Sequence, residues 1–214
     1  MSSPRNIFIF DLETSGLRPE EGAEIVQIAC YAMQFWNFEP HHAGTFEIIL
    51  KPNNPEKASQ AALDVIGLDL WNKALKEGID QKTGLARCLE WIDNLNDRKK
   101  DFNKPLMAGH NVIFDYNFLA YWLKHYKLIA HTGEAPYQEK IIDTWTLSWL
   151  LFENDSNITN INLDNMLALI NVQRKGQLHD AVEDVTLNGE LLKRYMKFYR
   201  ECRKRLEIKP RGKN

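Results

Sequence analysis

Asp11 and Glu13 are the first residues of this 214-residue chain whose types and spacing could do chemistry. Two positions apart in an extended segment, they present both carboxylates on the same side. Like charges placed so repel unless a cation sits between them, and carboxylate oxygens suit a hard divalent ion. The bland alternative is a polar strand end before the turn that Gly16 marks. A second segment runs from Gly109 through His110 and Asn111 to Phe114 and Asp115. Asn111 is read as a helix N-cap and Asp115 as an acid near the helix start, where the helix dipole favours it. An acid so placed would reach a metal held by Asp11. The third segment holds His179, Asp180, Glu183 and Asp184. Asp180 and Glu183 have the spacing of a capping box, with Asp180 as N-cap and Glu183 at N3. That leaves His179 just outside the helix and Asp184 one turn inside it, both looking over the same helix end. Each segment alone is ordinary; all three together fit one mechanism.

The elements that must position these residues read as α/β. Residues 6–10 form an almost wholly apolar run ending at Asp11, as expected of a central strand buried on both faces. Glu24 to Gln34 reads as a second strand and Thr45 to Leu50 as a third, with Phe46, Ile48 and Leu50 alternating against polar residues. From Gln81 to Leu95 the period becomes helical, with Leu85, Leu89, Ile92 and Leu95 on one stripe. Residues 105–109 are a short fourth strand, followed by a helix with Phe114, Phe118 and Tyr121 on one face. Residues 141–143 are a fifth strand. Helices around Trp145 to Leu151 and Leu163 to Ile170 follow, and a last helix starts near Ala181. Three strands followed by alternating strands and helices predict a mixed sheet flanked by helices. The stretches at 52–59, 130–139 and 152–160 read as loops within one domain.

The Phe-Asp-Leu-Glu-Thr-Ser-Gly-Leu at 10–17, His-Asn-x-x-Phe-Asp at 110–115 and His-x-Ala-x-x-Asp at 179–184 resemble, in the right order, the three motifs of the DEDDh (DnaQ-like) 3′–5′ exonucleases. Asp143-Thr144 resembles a secondary feature found between the second and third motifs. The resemblance covers about residues 5 to 200. It implies a ribonuclease H-like fold with a central five-stranded mixed sheet flanked by helices. Carried over residue by residue, it makes Asp11, Glu13, Asp115 and Asp184 ligands of two Mg²⁺ or Mn²⁺ ions and His179 the general base. The tyrosine form of the family would place Tyr four residues before the last acid, where this chain has Asp180. By the same resemblance Asp11 would bridge the ions. Glu13 and Asp184 would help hold the ion on the attacking side, and Asp115 the ion near the leaving oxygen. Thr14 and Leu17 match positions that contact and wedge the terminal nucleotide; His110 and Asn111 match positions lining the nucleotide pocket.

These roles are chemically sensible. Hydrolysing a phosphodiester builds negative charge, which two cations about 3.5–4 Å apart stabilise at the attacking and leaving oxygens. An imidazole with an unperturbed pKa of about 6.5 is suited to taking a proton from water near neutral pH. The expected reaction is hydrolysis of single-stranded or frayed 3′ ends to nucleoside 5′-monophosphates. The motif wording favours DNA. An exoribonuclease or oligoribonuclease of the same family is the first alternative, and a docking subunit of a polymerase or repair assembly the second.

Composition sets bounds. The chain is 44% hydrophobic and 26% charged, with no apolar run long enough for a membrane span. Its three cysteines, Cys30, Cys88 and Cys202, are scattered, so neither a disulfide frame nor a zinc site is expected. Scattered thiols and the lack of a signal-like leader point to the cytoplasm. Net charge is −2, yet residues 193–214 hold ten Lys or Arg and two Glu, leaving the rest of the chain at −10. The domain is expected to end near residue 202, with a basic tail over 203–214. That tail is either a phosphate-attracting segment or a solvated helix face running into a frayed terminus.

Overall fold

The computed structural model describes residues 6–36, 39–95, 104–174 and 180–207, the Trp36 side chain excepted. Its strands are β1 (Ile7–Thr14), β2 (Ile25–Trp36), β3 (Glu39–Lys51), β4 (Ile79–Asp80), β5 (Leu106–Gly109) and β6 (Ile141–Asp143). They form one mixed sheet in the order β4-β3-β2-β1-β5-β6. β1, β2 and β3 are antiparallel neighbours, whereas β5 runs parallel to β1, β6 to β5 and β4 to β3. The helices are α1 (Gln60–Ile66), α2 (Leu68–Glu77), α3 (Gln81–Leu95), α4 (Ile113–His125), α5 (Thr144–Phe152), α6 (Leu163–Leu169) and α7 (Ala181–Arg205).

The period-2 pattern of β1 decides which helix covers which face. Phe8, Phe10 and Leu12 point into a core shared with Leu85, Cys88 and Ile92 of α3 and Phe118, Leu119 and Trp122 of α4. Ile7 and Ile9 point the other way, onto Ala181, Val185 and Leu192 of α7. Phe8, Ile9 and Phe10 are almost fully buried, so β1 is central, as its unbroken apolar run requires. Burying each such side chain stabilises the fold by about 1.5–3 kcal/mol.

The mixed sheet and flanking helices agree with expectation, but the sheet has six strands rather than five. The extra strand, β4, has only two residues, too few for a periodic signal. β3 begins at Glu39, six residues before the expected start. Its first half pairs with Met33 to Trp36 through Glu39, Pro40, His41 and His42, exposed or half-buried residues that show no apolar alternation. The short helices α1 and α2, between β3 and β4, had no counterpart in the reading of the periodicity. Asn111 is not the N-cap of α4. Val112 takes that place, and Asn111 sits at φ 65°, in the left-handed region that Asn tolerates better than most residues. At the other end, α7 continues to Arg205, three residues into the expected tail.

Candidate active site

The strand alternation that buries Ile7 and Ile9 carries on past the hydrophobic stripe to Asp11 and Glu13. α7 lies over that stripe, held by Ala181 and Val185, so its first turn brings Asp184 above the two strand carboxylates. One ligand-capable oxygen from each of Asp11, Glu13 and Asp184 lies within 4.8 Å of the others. Asp180 caps the helix, its Oδ1 accepting from the Val182 and Glu183 N–H groups at 3.0 and 3.2 Å. The capping role read from sequence therefore holds for Asp180. The Glu183 carboxylate faces the Arg174 guanidinium at 3.7 Å.

Asp115 arrives from the other side of β1. The Asn6 carbonyl bonds to Leu106 of β5, so even-numbered residues of β1 turn their backbone groups toward β5. β1 outruns β5 at its C-terminal end, and the Leu12 N–H donates instead to Asp115 Oδ1 at 2.9 Å. This fixes a buried Asp115 in the first turn of α4. Asp115 is close enough to Asp11 and Glu13 for their charges to act on it. Gly109, at the end of β5, permits the approach. A Cβ there would meet the Val112 side chain at 2.8 Å and the Phe10 carbonyl at 3.0 Å.

Crowded carboxylates hold their protons. Burial, then the Asp184 charge, pushes Asp11 up to about 7, although Arg174 pulls the other way. Burial, then Asp11, Asp184 and Asp180, pushes Glu13 up to about 9. Burial and Asp11 raise Asp115 well above the usual carboxylate range, against the opposing bond from Leu12. Such a set cannot be fully ionised near neutral pH unless cations replace the protons. Hard, closely spaced oxygens of this kind fit Mg²⁺ or Mn²⁺ better than a softer metal.

His110 and Asn111 belong to a network at the ends of β5 and β6. His110 has Nε2 2.7 Å from the Ile161 carbonyl and Nδ1 3.0 Å from Thr144 Oγ1, so both ring nitrogens are engaged by protein. Burial lowers its pKa, more than the Ile161 bond and Asp143 raise it. The Asn111 N–H donates to Asp143 Oδ1, which also caps α5. Thr144, fully buried, bonds the Gly109 carbonyl and Asn188. Asp143-Thr144 thus ties the second motif loop to α5 and α7. Thr14 is buried and donates to the Gly16 carbonyl, whereas Leu17 is 80% exposed. Beside Leu17 opens a cleft of about 330 Å³ lined by Pro19, Glu20, Phe114, Asn117, Phe118 and Tyr121. A larger groove of about 720 Å³ runs past Asp180 and Val182 between α7 and α2, over Gln27 and Glu47. His179 lies outside the described residues.

Motif reading gave no site role to Phe114 or Tyr121, whose helical spacing signals core, yet both line the Leu17 cleft. Arg174 was missed as well. Its side chain is only 12% exposed and pairs with Asp184 and with Asp164 at 3.0 Å. No spacing rule flags a lone arginine in a loop.

The sheet order and the covering α7 define a ribonuclease H-like fold, with the carboxylates converging at the end of β1. Residues 8–192 match the family model described as exonuclease, and the chain belongs to that family. A curated ribonuclease T of Buchnera aphidicola subsp. Baizongia pistaciae is 29% identical over 145 residues, spanning 66% of this chain and 63% of that protein. The nuclease domain of 3′hExo, a DEDDh family member bound to rAMP, superposes with a TM-score of 0.68 at 17% identity, covering 92% of this chain and 94% of that one. E. coli exonuclease I in complex with a 5cy-dA13 oligonucleotide gives a TM-score of 0.70 at 17% identity, covering 91% and 41%. Among the described residues no helix is long and apolar enough to cross a membrane.

Proposed function

We propose that this chain is a divalent-metal-dependent 3′–5′ exonuclease releasing nucleoside 5′-monophosphates from single-stranded or frayed 3′ ends. The observation carrying this reading is the convergence of Asp11, Glu13 and Asp184 within 4.8 Å, in a chain of the exonuclease family. Asp11, Glu13 and Asp184, with Asp115 beside them, would hold two Mg²⁺ or Mn²⁺ ions. Bound there, the ions supply charge stabilisation for the attacking and leaving oxygens. The rest of the work falls to side chains. His179, immediately before the α7 cap, accepts the proton of the attacking water at a ring nitrogen. Leu17 packs against the terminal base from its exposed position, and Phe114 and Tyr121 offer ring surface across the cleft. Asp143 and Thr144 hold the Asn111 loop in place.

DNA is the first reading of the substrate, on the wording of the motifs. The similarity to a ribonuclease T favours a second reading, RNA. Digesting DNA and RNA oligomers of one sequence side by side, with chromatographic identification of the products, tests both. Nucleoside 5′-monophosphates from either polymer support the reaction class, and the faster polymer identifies the substrate. Products bearing a 3′-phosphate, or cleavage starting inside the chain, would overturn the proposal.

A further inference from the structure

Arg174 places a permanent positive charge against the carboxylates that would bind metal. Its guanidinium pairs with Asp184, bonds Asp164 in the first turn of α6 through Nε at 3.0 Å, and faces Glu183 at 3.7 Å. A purely structural tie between α6 and α7 could use Asp164 and Glu183 alone, both outside the Asp11–Glu13–Asp184 group. Instead the guanidinium also engages Asp184, and its field reaches Asp11, where it opposes the upward push of burial and of Asp184. Arginine cannot shed its charge in a protein. A divalent ion and Arg174 therefore make competing claims on the same carboxylate, one at a fixed position and one from solution.

We propose that Arg174 is a resident counter-cation of the carboxylate site, competing with divalent ions for Asp184 and setting how tightly they bind. The inference rests on the metal-site reading above. Asp164 and Glu183 give the guanidinium somewhere to stay when Asp184 turns to a metal. The exchange then needs only a small shift of charge partners, with no loss of the α6–α7 tie. The arrangement keeps the site partly neutralised when metal is scarce. It also weakens metal affinity, so that occupancy follows the surrounding ion concentration.

The test is calorimetric titration of Mn²⁺ into chelator-stripped protein, comparing the wild type with Arg174→Gln, Arg174→Lys and Asp164→Asn. Glutamine keeps a hydrogen-bond donor near Asp184 but removes the charge. It should tighten Mn²⁺ binding roughly tenfold, the order expected when a unit charge facing a divalent ion across wet protein is lost. Lysine keeps the charge and should bind Mn²⁺ much as the wild type does. Asp164→Asn takes away the alternative anchor, concentrates Arg174 on Asp184 and should weaken binding. In chelator Arg174→Gln should melt below the wild type, with the gap closing at saturating Mn²⁺. Equal or weaker Mn²⁺ binding by Arg174→Gln would overturn the proposal and make Arg174 a fixed support for the ligand. Should that variant not fold in chelator, unchanged or tighter binding by Asp164→Asn overturns it instead. A wild type that binds no Mn²⁺ would remove the metal site itself, an outcome distinct from any difference among the variants.

Discussion

Stability of the chelator-treated protein should fall steeply as pH rises from 5 to 8. Asp11 and Glu13 hold protons up to about 7 and about 9 in the folded chain, against 3.8 and 4.5 as ordinary values. The folded protein therefore binds more protons than the unfolded chain throughout this window. Stability contributed by these groups is complete below about pH 4 and is lost as pH climbs through the folded values. At about 1.4 kcal/mol per pH unit of differential protonation, the two groups together account for a loss on the order of 5 kcal/mol between pH 5 and 8. In a chain of this size each kcal/mol moves Tm by about 2–4 °C, so a fall of at least about 10 °C is expected. Saturating Mg²⁺ or Mn²⁺ replaces the protons and should flatten the profile. Asp11→Asn combined with Glu13→Gln should flatten it without metal and leave the variant more stable than the wild type at pH 8. The assay is thermal unfolding followed by far-UV circular dichroism at closely spaced pH, in EDTA and in metal. A wild-type curve in EDTA that is level from pH 5 to 8, or a double variant with the wild-type slope, would refute the account of a crowded, proton-holding carboxylate set.

Other expectations follow from single residues. His179→Ala should lower kcat roughly 10²-fold or more at saturating metal, the usual reach of general-base catalysis; a twofold loss in a steady-state assay would assign the base elsewhere. Leu17→Ala, altering a side chain that is 80% exposed, should leave stability within about 0.5 kcal/mol of wild type while raising KM for short single strands. Gly109→Ala drives a methyl to 2.8 Å from Val112 and 3.0 Å from the Phe10 carbonyl, and should cost about 1–3 kcal/mol by urea denaturation. Thr144→Val deprives Gly109 and Asn188 of a buried hydroxyl and should cost about 1–3 kcal/mol in the same assay.

The fold was legible wherever burial imposed a period. β1 reads as an unbroken apolar run because both its faces are covered, and the apolar stripe of α3 placed that helix at about residues 81 to 95. β4 and the first half of β3 were not legible, one for its brevity and the other because exposed polar residues carry no alternation. That Asp11, Glu13 and Asp184 come together was legible from motif spacing together with strand and capping geometry. Asp180 was legible as a helix cap because that role is local in sequence, and local hydrogen bonds are what a sequence encodes most directly. Asn111 was misplaced by one position because a tertiary bond from Asp143 holds its backbone in the left-handed region. Arg174 was invisible for the same kind of reason. Its partners come from α6 and α7, and only the fold brings them to one guanidinium.

The most direct test of the central claim is digestion of a 5′-labelled single-stranded oligomer by the wild type and by Asp184→Asn, in Mg²⁺ and in EDTA. A ladder that shortens stepwise from the 3′ end should appear only for the wild type with metal. Full activity in EDTA, or undiminished stepwise shortening by Asp184→Asn, would contradict that claim.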